Sequence, residues 1–195
     1  SGDSLRFFDF CAEHGNFPDW RAARKHYAEK LGIKLPRGKE DVADERLDFF
    51  KLSANMVRGW CEIKKGITPE ACHLNGVRCA KYPRGIRPEN QHFLLSFPAF
   101  NGNPGESDPT VWVSVNSTGG KIAKWCGNDK PPEMLDKMSQ GRGKGLLGSY
   151  GLARLAEAKV VIKVEGLTDL LTLFSVLTPE QRQEWAVMSN AGGAA

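Results

Sequence analysis

Apolar residues recur along the chain in two rhythms. Near the beginning the spacing is three to four residues, as on one face of a helix. "SLRFFDFCAEHG" offers Ser4 as a cap, Leu5, Phe8 and Cys11 or Ala12 as an apolar stripe, and Gly15 as a stop. In "NFPDWRAARKHYAEKLGIKLP", Trp20, Ala23, Tyr27 and Leu31 repeat that spacing. Pro18 suits the first turn, Gly32 the end, and Pro36 forbids resumption. "RGKEDVADERL" is charged and poor in large apolar groups, which predicts a linker. Its right-hand part begins a possible helix through "ADERLDFFKLSANMVRGWCEIK". In "KKGITPEACHLNGVRCAKYPRG", Thr68 caps a short helix with Pro69 and Glu70 in the first turn, stopped near Gly76.

The rhythm then changes to two. "HFLLSFPAF" and "TVWVSV" read as strands joined by a Gly-, Asn- and Pro-rich loop, a long-looped antiparallel pair. Val111, Val113 and Val115 alternate with Trp112 and Ser114, so a half-buried strand is predicted. "GGKIAKW" is a candidate third strand. "PPEMLDKMSQGRGKGLLGSYGLARLAEA" reads as a short helix, a Gly-Arg-Gly-Lys-Gly loop and a second helix. The end is clearest: strand "KVVIKVEG", helix "LTDLLTLFSVL", a turn or two of helix in "TPEQRQE" capped by Thr178, and strand "WAVMSN". That spacing predicts a βαβ unit with a parallel pair.

A chain of 195 residues, 41% hydrophobic, suits one ordinary domain or two small ones. No apolar run is long enough for a membrane span, and "SGDSLRFFDF" lacks the marks of a signal peptide. A soluble, intracellular protein is the expectation. Cys11, Cys61, Cys72, Cys79 and Cys126 are scattered without a C-x-x-C pair, and the four histidines lack i, i+4 spacing. Neither pattern indicates a disulfide framework or a closed zinc site.

The net charge is only +4, but it is uneven. Residues 1–51 hold ten basic and ten acidic side chains; 58–87 hold seven and two; 121–144 hold six and three. A locally basic middle fits a polyanionic partner as well as it fits a solvated surface.

The stretch "VEGLTD" sets Glu165 at the end of a strand, Gly166 at the turn and Asp169 in the first helical turn. Ligands of open α/β sheets gather at such strand ends. A helix N-terminus also favours a negative side chain, so Asp169 reads as a capping or turn-bracing group. Two acids near a turn are common, and the stretch alone is equally compatible with a structural turn.

Its context resembles a known family. "VVIKVEGLTDLLTL" is similar to the first motif of the Toprim domain of bacterial-type DNA primases, topoisomerases and some nucleases. "KGLLGSYGLARLAEA" before it resembles the Lys-Gly and Leu-Tyr-Gly-like element of primases. "KKGITPEACHLNGVRCAKYP" resembles the helix opening the primase RNA-polymerase core, and "FLLSFPAFNGNPGESDPTVWVSVNSTGGKIAKW" its strand, loop and Lys-aromatic ending. "GDSLRFFDFCAEHGNFPDWRAARKHYAEKLGIKLP" is similar to the end of a primase zinc-binding domain. Asn128 stands one place off the family's asparagine, and the loop from Asn101 to Pro109 is longer.

The resemblance implies an α/β protein: an α+β N-terminal subdomain followed by the first βαβ unit of a Rossmann-like Toprim domain. It implies residues 1–36 as the helical end of a zinc-binding region, 37–57 as a linker or connecting helix, 58–157 as the N-terminal subdomain of the polymerase core, and 158–195 as a truncated Toprim domain. A piece of a larger primase, or of a phage-type primase-helicase, is then expected. Its zinc ligands would lie upstream and its Asp-x-Asp pair downstream. The implied activity is RNA primer synthesis on single-stranded DNA by metal-dependent nucleotidyl transfer, in a bacterial or phage-infected cytoplasm. Partners would be ribonucleoside triphosphates, the template, the RNA–DNA hybrid and a replicative helicase, with no membrane.

Glu165 would hold Mg2+ or Mn2+, or take the proton of the attacking hydroxyl. Lys124, Arg142 and Lys144 would meet phosphates. Asn190 and Gly192, after the neighbouring parallel strand, would contact nucleotide, with Gly193 beside them; Gly166 and Asp169 would shape the turn. Gly141, Gly143 and Gly145 would let backbone N–H groups approach phosphate, or form a flexible loop. Trp112, Trp125, Phe93, Phe97 and Phe100 fit a sheet core better than base stacking. The rival readings are a non-catalytic nucleic-acid-binding module and another Toprim enzyme, a nuclease or topoisomerase-like protein.

Overall fold

A computed structural model of the chain describes residues 14–18, 20–31, 47–83, 86, 93–124, 126, 129–141 and 144–192. The chain divides into two compact units, Ser1–Ala43 and Asp44–Ala195. In the first, helix α1 spans Trp20–Lys30. Ala23 and Ala28 are buried on it, and Phe17 lies against His26 and Tyr27 with ring centroids 5.0 and 6.0 Å away. Leu31, expected on the apolar stripe, is exposed. The segment from Ser1 to Glu13, Gly32, Pro36 and the linker stretch as far as Arg46 lie outside the described residues.

The second unit is mixed α and β. Its strands are β1 (Phe49–Phe50), β2 (Arg78–Ala80), β3 (Leu94–Ala99), β4 (Val111–Asn116), β5 (Ile122–Lys124), β6 (Glu133–Leu135), β7 (Met138–Gly141), β8 (Leu146–Leu147), β9 (Val160–Val164) and β10 (Trp185–Asn190). Its helices are α2 (Ala54–Ile63), α3 (Pro69–Leu74), α4 (Ser149–Leu152), α5 (Leu167–Val176) and α6 (Pro179–Glu184). An antiparallel five-stranded sheet runs β1-β2-β3-β4-β7. A three-stranded sheet runs β8-β10-β9, with β10 parallel to β9 and antiparallel to β8. β5 and β6 form a separate antiparallel pair. Phe100 and Leu146 exchange backbone hydrogen bonds of 3.0 and 2.9 Å, which tie the end of β3 to β8.

Helical periodicity supplies apolar faces to the core that the two larger sheets share. α2 buries Val57, Trp60 and Cys61; α5 buries Leu167, Leu170, Leu171 and Phe174. These join Leu95, Phe97, Val113 and Val187 in one core. Each fully buried Leu or Phe contributes about 1.5–3 kcal/mol relative to exposure. Polar links add register. The Thr68 N–H donates to Ser175 Oγ at 2.9 Å, and Arg182 pairs with Glu70 at 2.8 Å while its Nε donates to the Phe174 carbonyl. Together they fix α3 on α5 and α6.

Several expectations hold. Thr68 accepts from Ala71 N–H at 3.2 Å as a helix cap. Thr178 and Gln181 close a reciprocal capping box. β3 and β4 pair antiparallel, Phe97 and Phe100 are core residues, and β9-α5-α6-β10 has the expected parallel register.

Others are corrected. The segment read as a short helix is β6, whose cross-strand partners in β5 hold it extended. β5 does not extend the main sheet; β7 takes the place beside β4. Only Ser149–Leu152 of "GSYGLARLAEA" is helical. The helix predicted through "ADERLDFFKL" starts only at Ala54, because Phe49 and Phe50 pair with β2. β4 is not simply alternating: Ser114 is fully buried, since its hydroxyl meets Ser96 at 2.7 Å. Among the described residues no helix is long and apolar enough to cross a membrane.

Candidate functional site

The site expected from the sequence lies at the carboxyl end of the parallel pair. Val164 of β9 stands beside Ser189 of β10, and Ser189 beside Leu147 of β8. One step further, Asn190 is in register with Leu146, and Glu165 follows Val164 just past the last pair of β9, so the ends of the three strands form a row. Neighbouring strands run about 4.8 Å apart, so the row spans roughly 10 Å. The Ala191 N–H donates to the Gly145 carbonyl at 2.9 Å, which carries the pairing beyond the strands. Lys144 and Gly192 project past this end and are both exposed.

Two glycines hold β8 and α4 against β10. Gly148 has φ +102°, and a Cβ there would lie 2.4 Å from the Val187 carbonyl oxygen. A Cβ on Gly151 would lie 2.7 Å from the same atom and from the Val187 nitrogen. The "GSYG" run thus sets how closely the segment carrying Lys144 approaches the strand carrying Asn190.

The acidic turn is more ordinary than expected. Gly166 has φ −142° and ψ 175°, extended backbone open to any residue. A Cβ there would meet only Asp169 Oδ2 at 3.7 Å, an ordinary contact. The turn therefore does not need glycine for its shape. Asp169 sits in the first turn of α5 as predicted, exposed, and no side chain caps that helix.

Glu165, Gly166, Asp169, Lys144, Asn190 and Gly192 share one end of one sheet. Lys124 does not join them. It lies on β5, opposite Glu133 at 3.9 Å, both half-exposed. Such a surface pair contributes about 0–1 kcal/mol and leaves the lysine free to exchange partners. Arg142, Gly143, Trp125, Asn128 and Gly193 lie outside the described residues. Gly141 and Gly145 serve packing. Gly141 has φ +118°, and a Cβ on Gly145 would meet Ala99 Cβ at 3.0 Å. Trp112 lies against Phe49 and under Arg78, a packing role.

Among the described residues, no three His, Cys, Asp or Glu side chains cluster to hold a metal ion. Magnesium-type ions are commonly held by one or two carboxylates together with water and substrate phosphates. Glu165 fits as one such oxygen ligand, not as a complete site.

A cavity of about 220 Å³ lies beside the turn. Gly166, Leu167, Thr168 and Asp169 line it; Glu165 does not. Opposite them stand Trp60 and Lys64 from the end of α2, and Asp136 and Lys137 after β6. The sequence signalled the lysines only through local charge excess, and gave Trp60 no role beyond packing.

The buried thiols are inert. Cys61 and Cys72 lie with sulfurs 3.8 Å apart, and desolvation raises both above the ordinary thiol range. Burial pushes Cys79 up to about 11. No protein-family model matches the chain, and no curated protein or solved structure matches it.

Proposed function

We propose that this chain is part of a DNA primase and carries the first acidic element of its Toprim metal site. The observation that supports this reading is the row at the carboxyl end of β9 and β10. Glu165, Asn190 and the Lys144–Leu146 segment come from three distant stretches of sequence. The stretches of Glu165 and Lys144 carry the family resemblance, and Asn190 joins them by its place in the sheet.

Primer synthesis needs a hydroxyl positioned in line with an α-phosphate and compensation of the charge that develops. In this reading a divalent ion supplies Lewis acidity when bound. Glu165 offers it a hard oxygen ligand, or accepts the hydroxyl proton. The Asn190 amide gives a neutral donor and acceptor beside the carboxylate. Lys144, exposed and without an ion-pair partner among the described residues, meets phosphate. Lys124, on the β5–β6 pair, would follow the template backbone outside the chemical centre.

The test is ribonucleotide incorporation on single-stranded DNA with Mg2+ or Mn2+, by the protein that contains this sequence, beside its Glu165→Gln form. The expected result is synthesis by the parent and none by the variant, with DNA binding and thermal unfolding unchanged. Synthesis surviving in the variant would remove Glu165 from the chemistry. Absence of synthesis in both, with DNA binding retained, would favour the non-catalytic module.

A further inference from the structure

The dipeptide Asn-Gly occurs twice in the chain, at Asn75–Gly76 and at Asn101–Gly102. An asparagine amide is open to attack by the backbone nitrogen of the next residue. Glycine in that place favours the attack, because it has no side chain in the way and its backbone reaches the bent geometry freely. The fold treats the two pairs in opposite ways.

Asn75 is 3% exposed, and its Nδ2 donates to the Ala71 carbonyl at 2.9 Å. The Gly76 N–H donates to the His73 carbonyl at 3.0 Å. Electrophile and nucleophile are both held. Asn101 and Gly102 are both exposed, in a bend after β3. Neither the Asn101 side chain nor the Gly102 N–H makes a hydrogen bond among the described residues, and a Cβ on Gly102 would meet nothing within 4 Å. Other asparagines are guarded as well. Pro104 gives Asn103 no N–H to be attacked by, and Asn103 Oδ1 accepts from Gly105 N–H at 2.9 Å. After Asn116 and Asn190 the next N–H groups are engaged, Ser117 with the Phe93 carbonyl and Ala191 with the Gly145 carbonyl.

We propose that Asn101–Gly102 is a self-deamidating site. The Gly102 nitrogen, having lost its proton to hydroxide, bonds to Asn101 Cγ. The Cγ–Nδ2 bond breaks, ammonia leaves, and a five-membered succinimide remains. Water then opens the ring. Opening at Cγ leaves an aspartyl residue, and opening at the main-chain carbonyl leaves an isoaspartyl residue whose backbone is one methylene longer. One water enters and one ammonia departs, with no oxidation or reduction.

The position gives this change a consequence. Asn101 directly follows Phe100, whose backbone is bonded in both directions to Leu146. At the other end of the same loop, Thr110 Oγ1 donates to the Lys144 carbonyl at 3.3 Å. The loop already holds Glu106 and Asp108 and no basic residue. Deamidation therefore adds negative charge, or a longer backbone, to the loop that braces the Lys144–Leu146 segment. The chemistry does not rest on the primase reading.

The experiment ages the 15N-labelled 195-residue chain at pH 9, folded and in urea, and follows each asparagine by peptide mass mapping with isoaspartate detection. In the folded chain Asn101 should convert roughly tenfold or more faster than Asn75, whose release requires local opening. In urea the two should convert at similar rates. Gly102→Val should slow the reaction at Asn101, and Glu165→Gln should leave it unchanged, so failure here is distinct from failure of the primase reading. The backbone amide resonances of Gly145 and Leu146 should shift in step with conversion. Equal rates at Asn75 and Asn101 in the folded chain, an Asn101 that stays intact while the urea sample converts, or an undiminished rate in Gly102→Val would overturn the site. Conversion without any shift at Gly145 or Leu146 would overturn its link to the Lys144 segment.

Discussion

β3 and β9 carry similarly apolar sequences, "LLSFPA" and "VVIKV". Every residue of β3 is buried, and no residue of β9 is. β3 lies between β2 and β4, with helices α2 and α5 sharing the core that it builds. Among the described residues β9 has a neighbour on one side only, β10, and Val161 is 55% exposed. Apolar, β-branched composition selects the strand, whereas place in the sheet decides burial. Parallel strands are usually covered on both faces. A bare parallel edge strand ending in an acidic turn therefore differs in kind from a structural core strand. β3 belongs to the buried core, and β9 ends at the exposed Glu165.

That contrast can be broken first at β3. Phe97→Ala removes a buried ring that stands 6.2 Å from Trp60, centroid to centroid. The expected loss is about 3–5 kcal/mol, read as a lowered urea midpoint. A loss below ~1 kcal/mol would mean that β3 is not the centre of the core.

The next effect is smaller and depends on pH. Cys61, Cys72 and Cys79 all lie in that core with proton affinities raised by burial. Their pKa is raised on folding, so the folded state keeps these protons longer than the unfolded chain. Their contribution is complete below the ordinary value of 9.0 and is lost as pH climbs toward about 11 for Cys79. Urea unfolding at pH 8 and pH 10 should show the lower midpoint at pH 10, and Cys79→Ala should reduce the difference. An equal midpoint at both would contradict the burial of these thiols.

The smallest effect belongs to β9. Val161→Thr keeps β-branching and changes an exposed side chain, so stability should move by no more than about 0.5 kcal/mol. A loss comparable to that of Phe97→Ala would show β9 to be covered.

The same comparison explains what the sequence made legible. The β9-α5-α6-β10 unit was readable because all its cues are local: Thr178 with Gln181, the 3.6-period stripe of α5, and two apolar strands. The thread from Pro131 to Gly148 was not. β6, β7 and β8 have two to four residues each, and their extended form comes from cross-strand partners, distant in sequence for β7 and β8. Composition cannot announce such pairings. Ser114 escaped for a similar reason, since its burial depends on Ser96, 18 residues away. Glu165 and Asn190 were placed at one end of the parallel pair from motif and strand order. The cavity of Trp60, Lys64 and Lys137 was not legible, because it joins a helix end and a turn that share no local pattern.

The central claim is that Glu165 offers a metal-binding oxygen at an edge shared with Asn190 and Gly145. Its most direct measurement is Mn2+-induced broadening of backbone amide resonances in the 195-residue chain. The account predicts selective broadening at Gly166, Asn190 and Gly145, absent in Glu165→Gln. Broadening that is diffuse over the acidic surface, or unchanged in Glu165→Gln, would contradict it.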